Sequence, residues 1–209
     1  VVRHSKSVAG LSAAALAGCA VGIGLSAGAA AASAAHAAAP APPATITARL
    51  IKRQPGTVKV GTVVPLSGLH QRIFINKRVG FALGGVGEAQ YPAKTTDGGA
   101  VWKTFGPALH VNALQAPLSV TQIGVANAHT IYFYGSGQVV DTTGDGGKHW
   151  WQAFTQELSA AVVPGIGRRL VWFTQTSNSA NLSNAVTWTY VSSDGGKVWR
   201  YTTALGGGF

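Results

Sequence analysis

"TTDGGAVW" occupies residues 95–102, and close copies return as "TGDGGKHW" (143–150) and "SSDGGKVW" (192–199). The chain has only six acidic residues, and three of them, Asp97, Asp145 and Asp194, stand in these copies. Their spacings are 48 and 49 residues. A near-constant period of that size predicts one supersecondary unit per repeat. The flanks agree. Upstream of each copy lies an apolar run: "VGFALGG" (79–85), "TIYFYGS" (130–136) and "LVWFTQT" (170–176). Ahead of those come polar turns, "NKR" (76–78), "NAH" (127–129) and "GRR" (167–169), and then "RIFI" (72–75), "QIGVA" (122–126) and "AAVVP" (160–164). After each Trp comes a short last run: "KTF" (103–105), "WQAF" (151–154) and "RYTT" (200–203).

Each unit therefore reads as strand, turn, strand, loop, strand, D-G-G turn, strand. Four short antiparallel strands per unit predict an all-β fold of β-propeller blades, at about 62–110, 118–158 and 160–205. Three blades are fewer than a propeller normally closes with. The array is therefore expected to be a partial propeller, with part of a fourth blade sought in the strand-like runs of residues 45–70; an open arc, a truncated reading frame and a ring completed by a second copy of the chain are the alternatives. The D-G step favours a tight hairpin because Gly accepts positive φ. The Asp carboxylate and the Ser/Thr hydroxyl accept backbone N–H groups of the turn, and the Trp folds over it. All four positions are explained by holding a hairpin closed.

The pattern Ser/Thr-x-Asp-x-Gly-x-x-Trp resembles the Asp-box, or bacterial neuraminidase repeat. It fits Thr95, Asp97, Gly99 and Trp102; Thr143, Asp145, Gly147 and Trp150; and Ser192, Asp194, Gly196 and Trp199. The Thr that usually precedes the Trp is replaced by Val101, His149 and Val198. With the apolar run upstream, residues 62–203 are most similar to the propellers of photosystem II assembly factors and their non-photosynthetic relatives. The resemblance implies that the boxes are structural and lie away from the ligand face. That face would carry the loops 85–91, 106–117, 135–138, 156–161 and 176–185, with Glu88, Gln90, Asn178, Asn181 and Asn184 as candidate contacts.

Catalytic readings find little support. Glycoside hydrolysis needs two opposed carboxylates, and outside the boxes only Glu88, Asp141 and Glu157 remain. The arginines and Tyr–Glu pair of a sialidase are not matched, and "RIFIN" (72–76) only faintly echoes its Arg motif. Trp151, Trp172 and Trp188 are open to two readings, sugar stacking or core packing. "DTTGDGGKHWWQ" (141–152) imitates a calcium loop, but its twelfth position is Gln152 rather than Glu. The six histidines show no zinc spacing, and no phosphate loop is present. No cofactor and no metal are expected.

Charged residues are 11% of the chain and the net charge is +10. Such a balance attracts anionic polymers, but no nucleic-acid motif accompanies the basic residues, and nucleic acid is not the expected partner. The expected partner is a protein or a cell-envelope polymer. Residues 1–37 read as an export signal or membrane anchor, with Arg3 and Lys6 ahead of an Ala-rich apolar run. Cleavage near "AHA" (35–37), retention as an anchor, and lipidation at Cys19 in "LAGC" are the alternatives. Each places the remainder outside the cytoplasm, secreted or at the cell surface. Residues 38–61 read as an Ala/Pro linker with a possible first strand, and 62–209 as the repeat domain. The sequence thus predicts an exported, non-catalytic binding module or scaffold, with a glycan-binding or sialidase-like hydrolase as the alternative.

Overall fold

The computed structural model describes residues 41–109, 120–135, 137–156, 158–165, 169–175 and 187–203. The described residues form an all-β body, as the alternation of apolar runs and turns predicts. Sheet 1 is formed by β3 (Leu69–Phe74), β4 (Gly80–Val86), β5 (Ala89–Thr95) and β6 (Lys103–Thr104), in that order. Sheet 2 contains β7 (Gln122–Val125), β8 (Ile131–Tyr134), β9 (Val139–Thr143) and β10 (Trp151–Phe154). Sheet 3 contains β11 (Leu158–Pro164), β12 (Leu170–Gln175), β13 (Thr187–Ser192) and β14 (Val198–Thr202). Every pairing is antiparallel. Each unit is a meander of the kind the repeat predicts.

The N-terminal part of this body does something the repeat does not announce. β1 (Thr45–Thr47) pairs with β14, and β2 (Arg49–Leu50) pairs with β10. Residues 61–64 then run along β6, with Val64 N–H donating to the Trp102 carbonyl at 2.9 Å and Thr104 N–H to the Thr62 carbonyl at 2.8 Å. One strap therefore visits the last strand of sheet 3, then sheet 2, then sheet 1. It gives sheets 3 and 2 a fifth strand. A sheet edge presents unpaired N–H and C=O groups that template association, and covering the edge removes them. The strap does this three times.

Two predictions are overturned here. Residues 45–70 do not supply part of a fourth blade; they supply the strap and the start of sheet 1. The array is also not a β-propeller: it is three open sheets of five, five and four strands, each ending in edge strands. The physical reason is that a D-G-G hairpin fixes the four-stranded unit but not the arrangement of units. That arrangement depends on which faces are apolar and what covers the ends.

Sheet 2 lies between its neighbours, and its burial shows it. β9 is buried at all five positions, whereas β3, in the terminal sheet, is mostly exposed. Successive residues of a strand point to opposite faces. On sheet 2, Ile123, Ile131, Phe133, Val139 and Trp150 pack with Phe81 and Leu83 of sheet 1. Tyr132, Val140 and Ala153 pack the other way, with Trp172, Trp188, Tyr190 and Trp199 of sheet 3. Burying one such Trp removes ~150–250 Å² from water, which stabilises by about 4–6 kcal/mol. The terminal sheet caps itself. Trp102 is covered by Val64 of the strap, and Phe74 of β3 meets its ring edge-on at 5.7 Å. Phe74 thus does for Trp102 what Phe105, from the preceding sheet, does for Trp150 at 5.4 Å.

Candidate functional site

The three D-G-G turns are built alike. Thr95 Oγ1 donates to Asp97 Oδ1 at 2.6 Å and accepts from Gly99 N–H at 3.0 Å; Val101 N–H donates to Asp97 Oδ1 at 3.1 Å. Thr143, Asp145, Gly147 and His149 repeat the pattern at 2.9, 2.9 and 3.0 Å. Ser192, Asp194, Gly196 and Val198 repeat it at 2.8, 2.9 and 3.1 Å. The paired glycines all have positive φ, from 75° to 98°, a conformation other residues adopt only with strain. The Thr95 hydroxyl and then the Val101 N–H hold the Asp97 carboxyl below its ordinary range. At Asp145, partial burial pushes the other way. It is outweighed by the His149 backbone and side chain, whose Nδ1 lies 2.6 Å from Oδ2, and by Thr143. In all three turns the Oδ1 atom of the carboxylate is engaged by its own turn.

The candidate ligand residues fare differently. Glu88 sits with Gly87 in a two-residue turn closing β4 onto β5, where Val86 pairs with Ala89. The expected loop 85–91 is therefore mostly strand. Gln90 lies in β5, and its Oε1 is buried without a partner. The residue as a whole is half-buried. Cys19, Asn178, Asn181 and Asn184 lie outside the described residues. Trp172 and Trp188 are core, and Trp151 packs against the same cluster with Lys197 Nζ 5.3 Å from its ring. Asp141 is buried in mid-strand, so it does not share an open calcium loop with Asp145. Among the described residues no three His, Cys, Asp or Glu side chains are grouped to hold a metal ion.

What the structure does assemble is a polar row. On one face of sheet 2, Ile123, Phe133, Asp141, Gln152 and Arg49 stand side by side across β7, β8, β9, β10 and β2. Asp141 is fully buried. Its Oδ1 accepts from Gln152 Nε2 at 3.0 Å, and its Oδ2 has no partner. Gln152 Oε1 accepts from Arg49 Nη2 at 2.6 Å and Nε at 3.2 Å. Arg49 is exposed. The chain of bonds thus runs from the interior to solvent. Burial pushes the Asp141 carboxyl up to about 7, against the Gln152 hydrogen bond and the Arg49 charge, which both pull it down. The equivalent row of sheet 1 reads Arg72, Ala82, Ala93, Thr104. That of sheet 3 reads Val162, Trp172, Tyr190, Tyr201. Only the middle repeat carries a carboxyl group there. Aligning the repeats exposes Asp141 and Gln152 as departures from pattern; Arg49 is invisible because its strand belongs to no repeat.

The row opens at a shallow depression of about 350 Å³ lined by Thr47, Arg49, Gln152 and Phe154. Phe154 lies two residues beyond Gln152, on the same face of β10, and is 47% exposed.

No protein family matches this chain, and no curated protein or solved structure is similar to it. The Asp-box, photosystem II assembly factor and sialidase-like resemblance is therefore not upheld, and the open sheets contradict the propeller that it implies. The turns reproduce the hydrogen bonds of the box because four residues are enough to set them. Local chemistry of that size does not carry a family with it.

Proposed function

We propose that the protein is an exported, non-catalytic binding module that holds an anionic polymer along the strap-bearing edge of its sheets. The carrying observation is the charge of that edge. Arg49, Lys52, Arg53 and Lys59 are exposed on the strap. Lys103 and Arg200 lie on strand positions that pair with it, and the Lys197 carbonyl accepts from Ala48 N–H. Residues 41–64 contain no Asp or Glu, and neither do β6, β10 and β14. A one-signed stripe along an edge attracts a linear polyanion and speeds its capture. The acid inventory supports a non-catalytic role. Among the described residues three carboxylates are engaged in turns, Asp141 is buried beside an amide, and Glu88 sits on a hairpin of another sheet, while Glu157 lies outside the described residues.

Titration with inorganic polyphosphate tests the reading. Binding is expected at low salt and is expected to weaken steeply as salt screens the exposed charges. The double variant Arg53→Glu, Lys59→Glu should weaken binding at least about tenfold, and Lys77→Glu, Arg78→Glu, away from the strap, far less. Equal losses from both pairs, or no binding at low salt, would reject the proposal.

A further inference from the structure

We infer that the depression formed by Thr47, Arg49, Gln152 and Phe154 is a seat for one carboxylated sugar unit, so that the polymer is an acidic polysaccharide. This deepens the anionic-polymer reading and rests on it. Three observations carry it. First, Arg49 is held rather than free. Nε and one Nη bond to a single amide oxygen, and that amide is itself fixed because its Nε2 donates to Asp141. Gln152 is almost wholly buried and Asp141 fully so, which leaves the amide no other orientation that satisfies both neighbours. The second Nη remains to meet a carboxylate, and an oriented guanidinium is the side chain best suited to that planar anion.

Second, Phe154 is half-exposed and lines the same depression as Arg49. A phosphate chain has no apolar face to lay on it. A pyranose carrying a carboxylate has both: C–H groups for the ring and an anion for Arg49. Thr47 adds a hydroxyl at the rim. Third, the carboxyl–amide pair is absent from the equivalent rows of sheets 1 and 3, which place Ala93 with Thr104 and Tyr190 with Tyr201 there and fold into the same meander. The fold does not need Asp141 and Gln152 where they are. They set the angle of Arg49, and so are positioning residues, while Arg49 and Phe154 touch the ligand.

The experiment compares polygalacturonate with inorganic polyphosphate at equal charge, by calorimetry on the full chain. Polygalacturonate should bind about tenfold tighter at moderate salt. Phe154→Ala should remove most of that preference while leaving polyphosphate binding unchanged, and Arg49→Gln should weaken polygalacturonate at least about tenfold. Circular dichroism and denaturant unfolding of both variants should match the native chain, which separates a lost seat from a lost fold. Equal affinity for the two polymers, or a preference that survives Phe154→Ala, overturns the inference and leaves the anionic-polymer reading standing. Failure of both polymers to bind rejects both.

Discussion

Two interfaces join the three sheets, and they are made of different material. Between sheets 1 and 2 the contacts are aliphatic and phenyl: Phe81, Leu83, Ile123, Ile131, Phe133 and Val139 around Trp150. This interface tolerates unpaired polar atoms, Trp150 Nε1 and Asp141 Oδ2. Between sheets 2 and 3 the contacts are indole and phenol: Trp172, Trp188, Trp199, Tyr190 and Tyr132. Here two of the indoles are partnered, with Trp199 Nε1 donating to the Gly196 carbonyl at 3.0 Å and Trp172 Nε1 to Ser159 Oγ at 3.1 Å, and an unpaired buried atom is a hydroxyl, Thr142 Oγ1, rather than a carboxylate. The same D-G-G turn sits on both. The repeat specifies a backbone, and each interface is then filled by whatever packs, so chemistry can be placed in one sheet without disturbing the other two.

The buried carboxylate gives the largest expected difference. Asp141 has a folded-state pKa raised to about 7, so between about pH 4 and about pH 7 the native state binds the proton that the unfolded chain has released. Stability is complete below the ordinary carboxyl pKa of about 4 and is lost as pH rises through about 7. The loss is on the order of 4 kcal/mol. Denaturant unfolding across that window should show the decline in the native chain and a nearly flat profile in Asp141→Asn. An unchanged slope in the variant would mean that Asp141 is not the source of the decline and that its place between sheets 1 and 2 does not raise its pKa.

The second glycine of each turn comes next. A methyl at Gly196 would run into the Thr142 side chain of sheet 2, and one at Gly147 would meet the Phe105 carbonyl of sheet 1 at 2.8 Å. At Gly99 the one tight contact would be the tip of Phe74 at 3.3 Å, on a half-exposed ring that can turn aside, with Trp102 Nε1 at an ordinary 3.5 Å. The φ strain is common to all three, at about 1 kcal/mol. The collision adds about 2 kcal/mol where a neighbouring sheet stands behind the turn. Gly196→Ala and Gly147→Ala should therefore each lose roughly 3 kcal/mol of unfolding free energy, and Gly99→Ala roughly 1. Equal losses at all three would show that the turns do not feel the sheets they rest on.

What was legible follows the same division. The period of Asp97, Asp145 and Asp194 gave the strands of each sheet and the role of each turn, because hairpin chemistry is local. The stacking was not legible, since it is set by faces that meet only in three dimensions. The strap hid inside a stretch whose composition reads as linker, because strands of two and three residues leave no periodicity. Of the candidate site, Asp141 was visible as a spare carboxylate and Gln152 as the wrong residue for a calcium loop. Their hydrogen bond needs the register of β9 on β10, and Arg49 needs the strap.

The smaller effects separate turn from interface. Trp199→Phe strands the Gly196 carbonyl, whereas Trp150→Phe deletes an N–H that has no partner. Beyond the packing loss common to both, Trp199→Phe should cost about 1–2 kcal/mol more in unfolding free energy. Smallest are the hydroxyls. Thr95→Val, Thr143→Val and Ser192→Ala each remove the donor to the turn carboxylate and the acceptor of a glycine N–H. Because those bonds lie wholly within the turn, each loss should be about 1–2 kcal/mol and nearly the same at all three positions. Equality is the informative outcome here. If Ser192→Ala cost clearly more than Thr95→Val, the turn itself would be coupled to its neighbouring sheet, and the separation of a fixed backbone unit from variable interfaces would fail at its simplest point.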